Sequence, residues 1–342
     1  MTLNTLTLQQ TEEVPASLLE MQCEQLHTLF PHPTLLHVRG LSSETVFVSI
    51  LLHGNENTGF YAIQELLKKA QHTLLPRSLS IFFGNTQAAR YGKRLLEHQS
   101  DYNRVWPGTM TPETPEAIVM QQIVDEMKTR NLFASIDIHN NTGLNPHYAC
   151  INKVDNRFLR MANLFGHTIV YFLTPKGVQS AAFSELCPAV TLECGKSNSP
   201  TSISHALEYV AAILHIHEIA DDPILPQDIN LFHTVARVKI PEDVTFSFND
   251  KNADILLPRQ LDKMNFSEMA TNTCFGALQN SNEIRLHAYN DDNEEIGENL
   301  FRIDEQKIKL KKAMMPAMLT LDESIIRQDC LCYLMERYPL SQ

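Results

Sequence analysis

From Val46 to about Asp222, short apolar runs rich in β-branched and aromatic residues alternate with stretches of helical periodicity. The runs 46–52 (VFVSILL), 79–85 (LSIFFGN), 133–139 (FASIDIH), 168–172 (TIVYF) and 189–193 (AVTLE) read as buried strands. Between them, 60–70 carries apolar residues at Tyr61, Ile63, Leu66 and Leu67, one face of a helix. The segments 116–128, 156–165 and 204–219 show the same period, the first after a proline-rich start. Strands alternating with helices predict an α/β layer architecture.

The polar, proline-bearing stretch ADDPILPQD (220–228) reads as a linker. Beyond it come β-branched runs at 233–240 and 244–248, then turn-rich sequence with few helical patterns. The expected organisation is a domain over 1–222, including an N-terminal extension over 1–45, and a smaller, mostly β domain over 223–342. No internal repeat is visible, and the acidic NDDNEEIGEN (290–299) reads as a solvated hairpin loop.

Composition narrows the function classes. With 43% hydrophobic and 20% charged residues, the chain has an ordinary globular profile. Twenty-eight basic against 40 acidic residues give a net charge of -12, which disfavours nucleic acid and anionic membranes as partners. An anionic substrate therefore needs arginines close by. The N-terminal stretch lacks a basic, apolar leader, and no run reaches the roughly 18 to 20 apolar residues of a membrane span, so a cytoplasmic protein is expected. Seven scattered cysteines without a CxxC pair point to reduced, buried thiols.

Four polar residues stand at or just beyond strand ends: His53, Asn85, His139 and Glu193. Ligands of open α/β sheets bind outside the carboxyl ends of the strands, so these four can converge without being close in sequence. Two histidines and a glutamate are a catalytic zinc-ligand set, with His53 and Glu56 as the close pair and His139 as the distant third. Taken alone, H-x-x-E favours a plainer reading, a strand-end histidine and a helix-start acid. In HIHEIAD (215–221) the histidines do not share a helix face, and the segment reads as the end of an amphipathic helix. Cys194, beside Glu193, has no identified base and reads as a packing residue.

The motifs HGNENTG, GNTQAARYGKRLLE, SDYNRVW, DIHNNTG and TLECGK occur in this order. Together they resemble the succinylglutamate desuccinylase/aspartoacylase branch of the zinc carboxypeptidase superfamily. The resemblance covers roughly Val46 to Gly195. It implies a zinc-carboxypeptidase-like mixed sheet flanked by helices, with a smaller β C-terminal domain. It also implies one Zn2+ ion held by His53, Glu56 and His139, with Glu193 as general base and then acid. Arg94 matches the arginine that steadies the oxyanion, and Asn103 and Arg104 match the pair that grips a substrate carboxylate. Tyr289 is the candidate for a substrate-contacting tyrosine from the later part of the chain. Thr86, Tyr102 and two additional residues between Arg94 and Asp101 depart from the family pattern, which predicts a reshaped pocket.

The implied activity is hydrolysis of an amide in a small carboxylate-bearing substrate such as an N-acyl amino acid. Two rivals share these residues: a metallocarboxypeptidase acting on peptide C-termini, and a non-catalytic metal- or carboxylate-binding protein. The expected partner is a small anionic substrate or a peptide C-terminus, with no nucleic acid and no membrane; self-association stays open.

Overall fold

A computed structural model describes residues 6–279 and 284–340. The chain forms two compact units: one comprises 1–140 and 147–230, the other 141–146 and 231–342. The second unit thus begins a few residues beyond the proline-bearing stretch, and a short segment following His139 is counted with it.

The first unit is a mixed sheet flanked by helices. Its strands are β1 (Gln9–Thr11), β2 (Thr34–Val38), β3 (Ser42–Ile50), β4 (Arg77–Phe83), β5 (Leu132–His139), β6 (Tyr148–Ile151), β7 (Thr168–Tyr171) and β8 (Ala189–Glu193). They lie in the order β1-β2-β4-β3-β5-β8-β6-β7. The segment β4-β3-β5-β8 is parallel throughout, and β2 and β6 run antiparallel to β4 and β8. Parallel neighbours buried on both faces need near-continuous apolar sequence, which is why Val46–Leu52 and Leu79–Phe83 lack alternation.

The helix expected over 60–70 spans Thr58–Ala70 and buries Phe60, Ala62, Ile63, Leu66 and Leu67; Tyr61 is only half-buried. Its Gln64 amide donates to the carbonyls of Leu18 and Met21, fastening the N-terminal segment to the sheet's flank. That segment contributes β1 and β2, so the expected extension is an integral part of this unit. The last helix spans Pro200–His215, with Ser199 as its N-cap. It ends at His215 because Arg77 reaches the carbonyls of Leu214, Ile216 and His217; His217 and Glu218 lie beyond it.

An aromatic cluster sits beside the parallel strands. Phe47 of β3 stacks on Phe183 at 4.3 Å between centroids, and Trp106 meets Phe47, Phe82 and Phe183 edge-on. Such ring pairs contribute about 0.5–1.5 kcal/mol beyond area burial. Tyr102 and Trp106, both fully buried, thereby pin the ends of the Asn103–Val105 loop.

The second unit contains an antiparallel group, in which Asn230–Lys239 pairs with His287–Tyr289 on one side and Cys332–Arg337 on the other. Met315–Ala317 extends it. A five-stranded sheet completes the unit, around a core including Phe275, Leu278, Leu310 and Leu319. The acidic 290–299 segment begins with a tight reversal, where Tyr289 bridges Glu295 and Asn290 caps the turn, and ends in a single helical turn.

Trp106→Ala is expected to cost about 3–5 kcal/mol, the range for truncating a buried aromatic. Urea unfolding followed by circular dichroism would read the loss.

Candidate active site

The site is assembled from the carboxyl ends of three adjacent parallel strands. His53 lies just beyond β3, His139 ends β5 and Glu193 ends β8. His139 and Glu193 are direct partners in the parallel ladder. Neighbouring strands lie about 4.8 Å apart, so the ladder itself fixes the spacing of these two residues.

The turn from β3 to the next helix brings Glu56 back towards His53. Gly54 lies outside the left-handed region, and its need is steric rather than conformational. A Cβ there would lie 2.2 Å from the Ala89 nitrogen and 2.7 Å from the Lys93 oxygen, while the Gly54 N–H donates to the Arg94 carbonyl at 3.1 Å. The HGNE turn is therefore pressed against the segment that carries Arg94. Leu51, just before it, is held at φ 56°, a left-handed conformation that strains a side-chain-bearing residue.

Glu56 is buried and bridges both histidines. Its Oε1 lies 2.8 Å from His53 Nδ1, and its Oε2 lies 2.7 Å from His139 Nδ1. The Asn140 backbone N–H donates to Oε2 at 3.0 Å. Burial opposes the charged carboxylate, and the two imidazoles together outweigh it, holding the Glu56 pKa well below the usual range. On the far side of each ring stands a second carboxylate. His53 Nε2 lies 3.0 Å from Asp101 Oδ1, and His139 Nε2 lies 2.8 Å from Asp137 Oδ2.

Each imidazole thus meets a carboxylate oxygen at both nitrogens. Only an imidazolium, or a ring that gives Nε2–H to its outer carboxylate and turns the Nδ1 lone pair to a cation, satisfies both contacts. In the absence of a cation, burial disfavours charged His139, but Asp137 and Glu56 overcome it and raise its pKa well above the ordinary value. Ligand atoms of His53, Glu56 and His139 lie within 4.8 Å of one another, and they form the one such buried group among the described residues. Two nitrogens, one carboxylate and carboxylates behind both rings are a donor set suited to a divalent metal such as zinc.

Asp101 and Asp137 were not singled out by motif. Asp137 could have been, since it stands two residues before His139 and so on the same strand face. It is oriented by Ser49, its ladder partner on β3, whose hydroxyl donates to Oδ1 at 2.6 Å. Asp101 accepts from Arg94 at 2.8 Å and from the Asn103 backbone at 2.8 Å. Burial disfavours its ionised form, but His53, Arg94 and Arg104 outweigh that and keep its pKa low.

Of the residues expected to handle substrate, Arg94 is drawn to the ligand cluster, its guanidinium 3.9 Å from Glu56. Asn103 brings its amide nitrogen to 3.1 Å from His139 Nε2, and its side-chain oxygen accepts from the Gln179 N–H. Arg104 donates to the Asn103 carbonyl. Tyr102 points into the core, so this departure from the family pattern strengthens the loop's anchor. Tyr289 belongs to the second unit, in register with Arg237, its hydroxyl 3.4 Å from His287 Nδ1. Asn85 ends no strand: it caps the short helix after β4 and holds Gln99. Burial, then Glu193 and Glu56, push the Cys194 thiol far above its usual pKa, which removes it as a nucleophile. All seven cysteines are free thiols.

Comparison with known families places this geometry. Residues 42–217, just over half the chain, match the model of the succinylglutamate desuccinylase/aspartoacylase catalytic domain. The chain belongs to that family. Comparison with the curated proteins finds no match. Among solved structures, it resembles succinylglutamate desuccinylase from Chromobacterium violaceum at 17% identity and TM-score 0.57, covering 87% of this chain and 86% of that one. A succinylglutamate desuccinylase/aspartoacylase from Rhodobacter sphaeroides gives 14% identity and TM-score 0.59, with 89% of each chain covered. Murine aminoacylase 3 gives 14% and 0.57, with 87% and 96% covered. At these identities the likeness concerns the fold alone. No helix among the described residues is long and apolar enough to cross a membrane.

Asp137→Ala removes the carboxylate that fixes the His139 ring. It is expected to weaken divalent-metal binding about 10–100-fold, measured by chelator competition.

Proposed function

We propose that this family member is a zinc-dependent deacylase that hydrolyses the amide of a small N-acyl amino acid. The observation that carries the reading is the convergence of His53, Glu56 and His139 beside Glu193, the ladder neighbour of His139. A non-catalytic metal-binding protein has no need of a buried carboxylate at that position; hydrolysis does.

His53, Glu56 and His139 would hold the ion through two Nδ1 atoms and one carboxylate. A bound zinc would polarise the acyl carbonyl and lower the pKa of water towards about 7. Glu193 takes a proton from the attacking water, then returns it to the amine as the C–N bond breaks. Arg94 supplies positive charge where the carbonyl oxygen becomes anionic, with Asp101 holding its guanidinium in place. Asn103 and Arg104 lie on the loop pinned by Tyr102 and Trp106, so their grip on the substrate carboxylate is pre-organised. These arginines supply locally what the chain's acidic balance denies to an anionic ligand. Tyr289 is the candidate for substrate contact only by its place in the later part of the chain, with no motif around it.

A screen of N-acyl amino acids and short peptides with the zinc-loaded protein tests the reading. Release of the free amino acid from an acylated one supports it; release of only C-terminal residues from peptides points to a carboxypeptidase. Glu193→Gln is expected to retain zinc and lose about 10²–10⁴-fold in kcat, the usual contribution of a general base. Zinc retained with kcat unchanged would sink the mechanism. Arg104→Lys is expected to raise KM about tenfold or more, because an ammonium cannot reproduce the two-pronged contact.

A further inference from the structure

The helix that follows Glu56 starts without a cap of its own. Asn57 stands at the N-cap position, yet its side chain accepts nothing from the helix. It faces Asn198 instead, donating to its Oδ1 at 2.7 Å and accepting from its backbone N–H at 3.1 Å. The missing cap comes from Asn140, the residue after the third ligand, whose Oδ1 accepts from the Thr58 N–H at 3.1 Å.

Asn140 does more than cap. Its Nδ2 donates to Thr58 Oγ1 at 2.9 Å and to the Gly195 carbonyl at 2.9 Å, while its backbone N–H holds Glu56. The two ends of this buried side-chain amide and the residue's backbone N–H are therefore spent on three elements: the helix start and the turn beyond Glu193 through the side chain, and the Glu56 carboxylate through the backbone. A third tie runs from the Ser197 hydroxyl to the Asn55 carbonyl at 2.7 Å.

The need for such ties is local. Glu193 is the last residue of β8, in register with His139 on one side and Tyr148 on the other, and beyond it the Cys194 N–H donates to the His139 carbonyl. Gly195 follows at φ 69°, and Lys196 and Asn198 are exposed. A strand end leading into a left-handed glycine and an exposed turn is not rigid by itself. A general base has to be held to within a fraction of an ångström of its working position.

We propose that Asn140 is a positioning residue that fastens the turn after Glu193 to the turn bearing His53 and Glu56, and so holds the base in register with the ligand cluster. Asn57–Asn198 and Ser197–Asn55 are the auxiliary ties of the same clasp. The role rests on Glu193 being the general base.

Asn140→Asp keeps an acceptor for the Thr58 N–H but has nothing to donate to the Gly195 carbonyl. It therefore separates the clasp from the helix cap, and a second variant, Asn57→Ala, cuts only the Asn198 tie. In the zinc-loaded, full-length protein, Asn140→Asp is expected to lower kcat about 10–100-fold with KM changed less than about threefold, the scale seen for residues that orient a reacting group. Hydrogen exchange across 195–199 should quicken by about tenfold or more, with zinc still bound stoichiometrically, and Asn57→Ala should move both readouts less far in the same direction. Faster exchange with unchanged kcat would overturn the positioning role, and wild-type exchange in both variants would overturn the clasp itself. Because exchange needs no substrate, a wild-type protein that turned over no acylated amino acid would count against the functional reading and leave the clasp to be judged by exchange.

Discussion

A single buried carboxylate sets the terms for the catalytic unit. Glu56 has one oxygen on each of two imidazoles, and removing an ionised carboxyl from water costs several kcal/mol unless it is well paired. The two rings supply that pairing, and each then presents its outer nitrogen to a further carboxylate, Asp101 or Asp137. Negative charge accumulates around the cluster, and Arg94 balances only part of it. A dication in place of protons at the two Nδ1 atoms would resolve the remainder. The site is thus an electrostatic demand built into the fold, and the surrounding hydrogen bonds are its answer.

The scaffold meets that demand with regular geometry. Parallel strands β3, β5 and β8 end at one edge, so His139 and Glu193 arrive side by side through the ladder itself, and the strained turn after β3 brings His53 to them. Gly54 lets the β3 turn lie flat against the Arg94 segment, and Ser49 reaches across the ladder to orient Asp137. The loop that follows Arg94 is held differently, by driving Trp106 into an aromatic cluster. Rigid backbone and apolar anchoring together keep a polar, charge-rich edge in one arrangement.

Much of this was legible in the sequence. The segment 156–165 is the helix Asn156–Phe165 and AVTLE is β8, because amphipathic period and buried apolar runs are local signals. The grouping of His53, Glu56 and His139 was legible through the order of five short motifs, since no single one is distinctive. Other features left no local trace. The four residues of β6 are too short to show a period, and the edge strand β1 and its neighbour β2 lie in a segment without clear alternation. The helix after β8 reads as continuing to 219, but a distant arginine, Arg77, claims its terminal carbonyls. Asp101 and Asn140 stand in motifs that were recognised, yet their partners lie in other segments, and a hydrogen bond between segments has no signature in sequence spacing.

The distance along the chain between the ligands has its own consequence. Glu56 and His139 are 83 residues apart, and they meet only once β3 and β5 have paired. Loops of that length close late and slowly, because the entropy of closure is lost before the contacts form. An unfolded or half-folded chain offers His53 and Glu56 as a weak two-point chelate, and the third donor arrives with the completed sheet. A metal taken up there would act as a checkpoint on folding: it would be held tightly only by chains whose central strands are in register, and its binding energy would add to the native state alone.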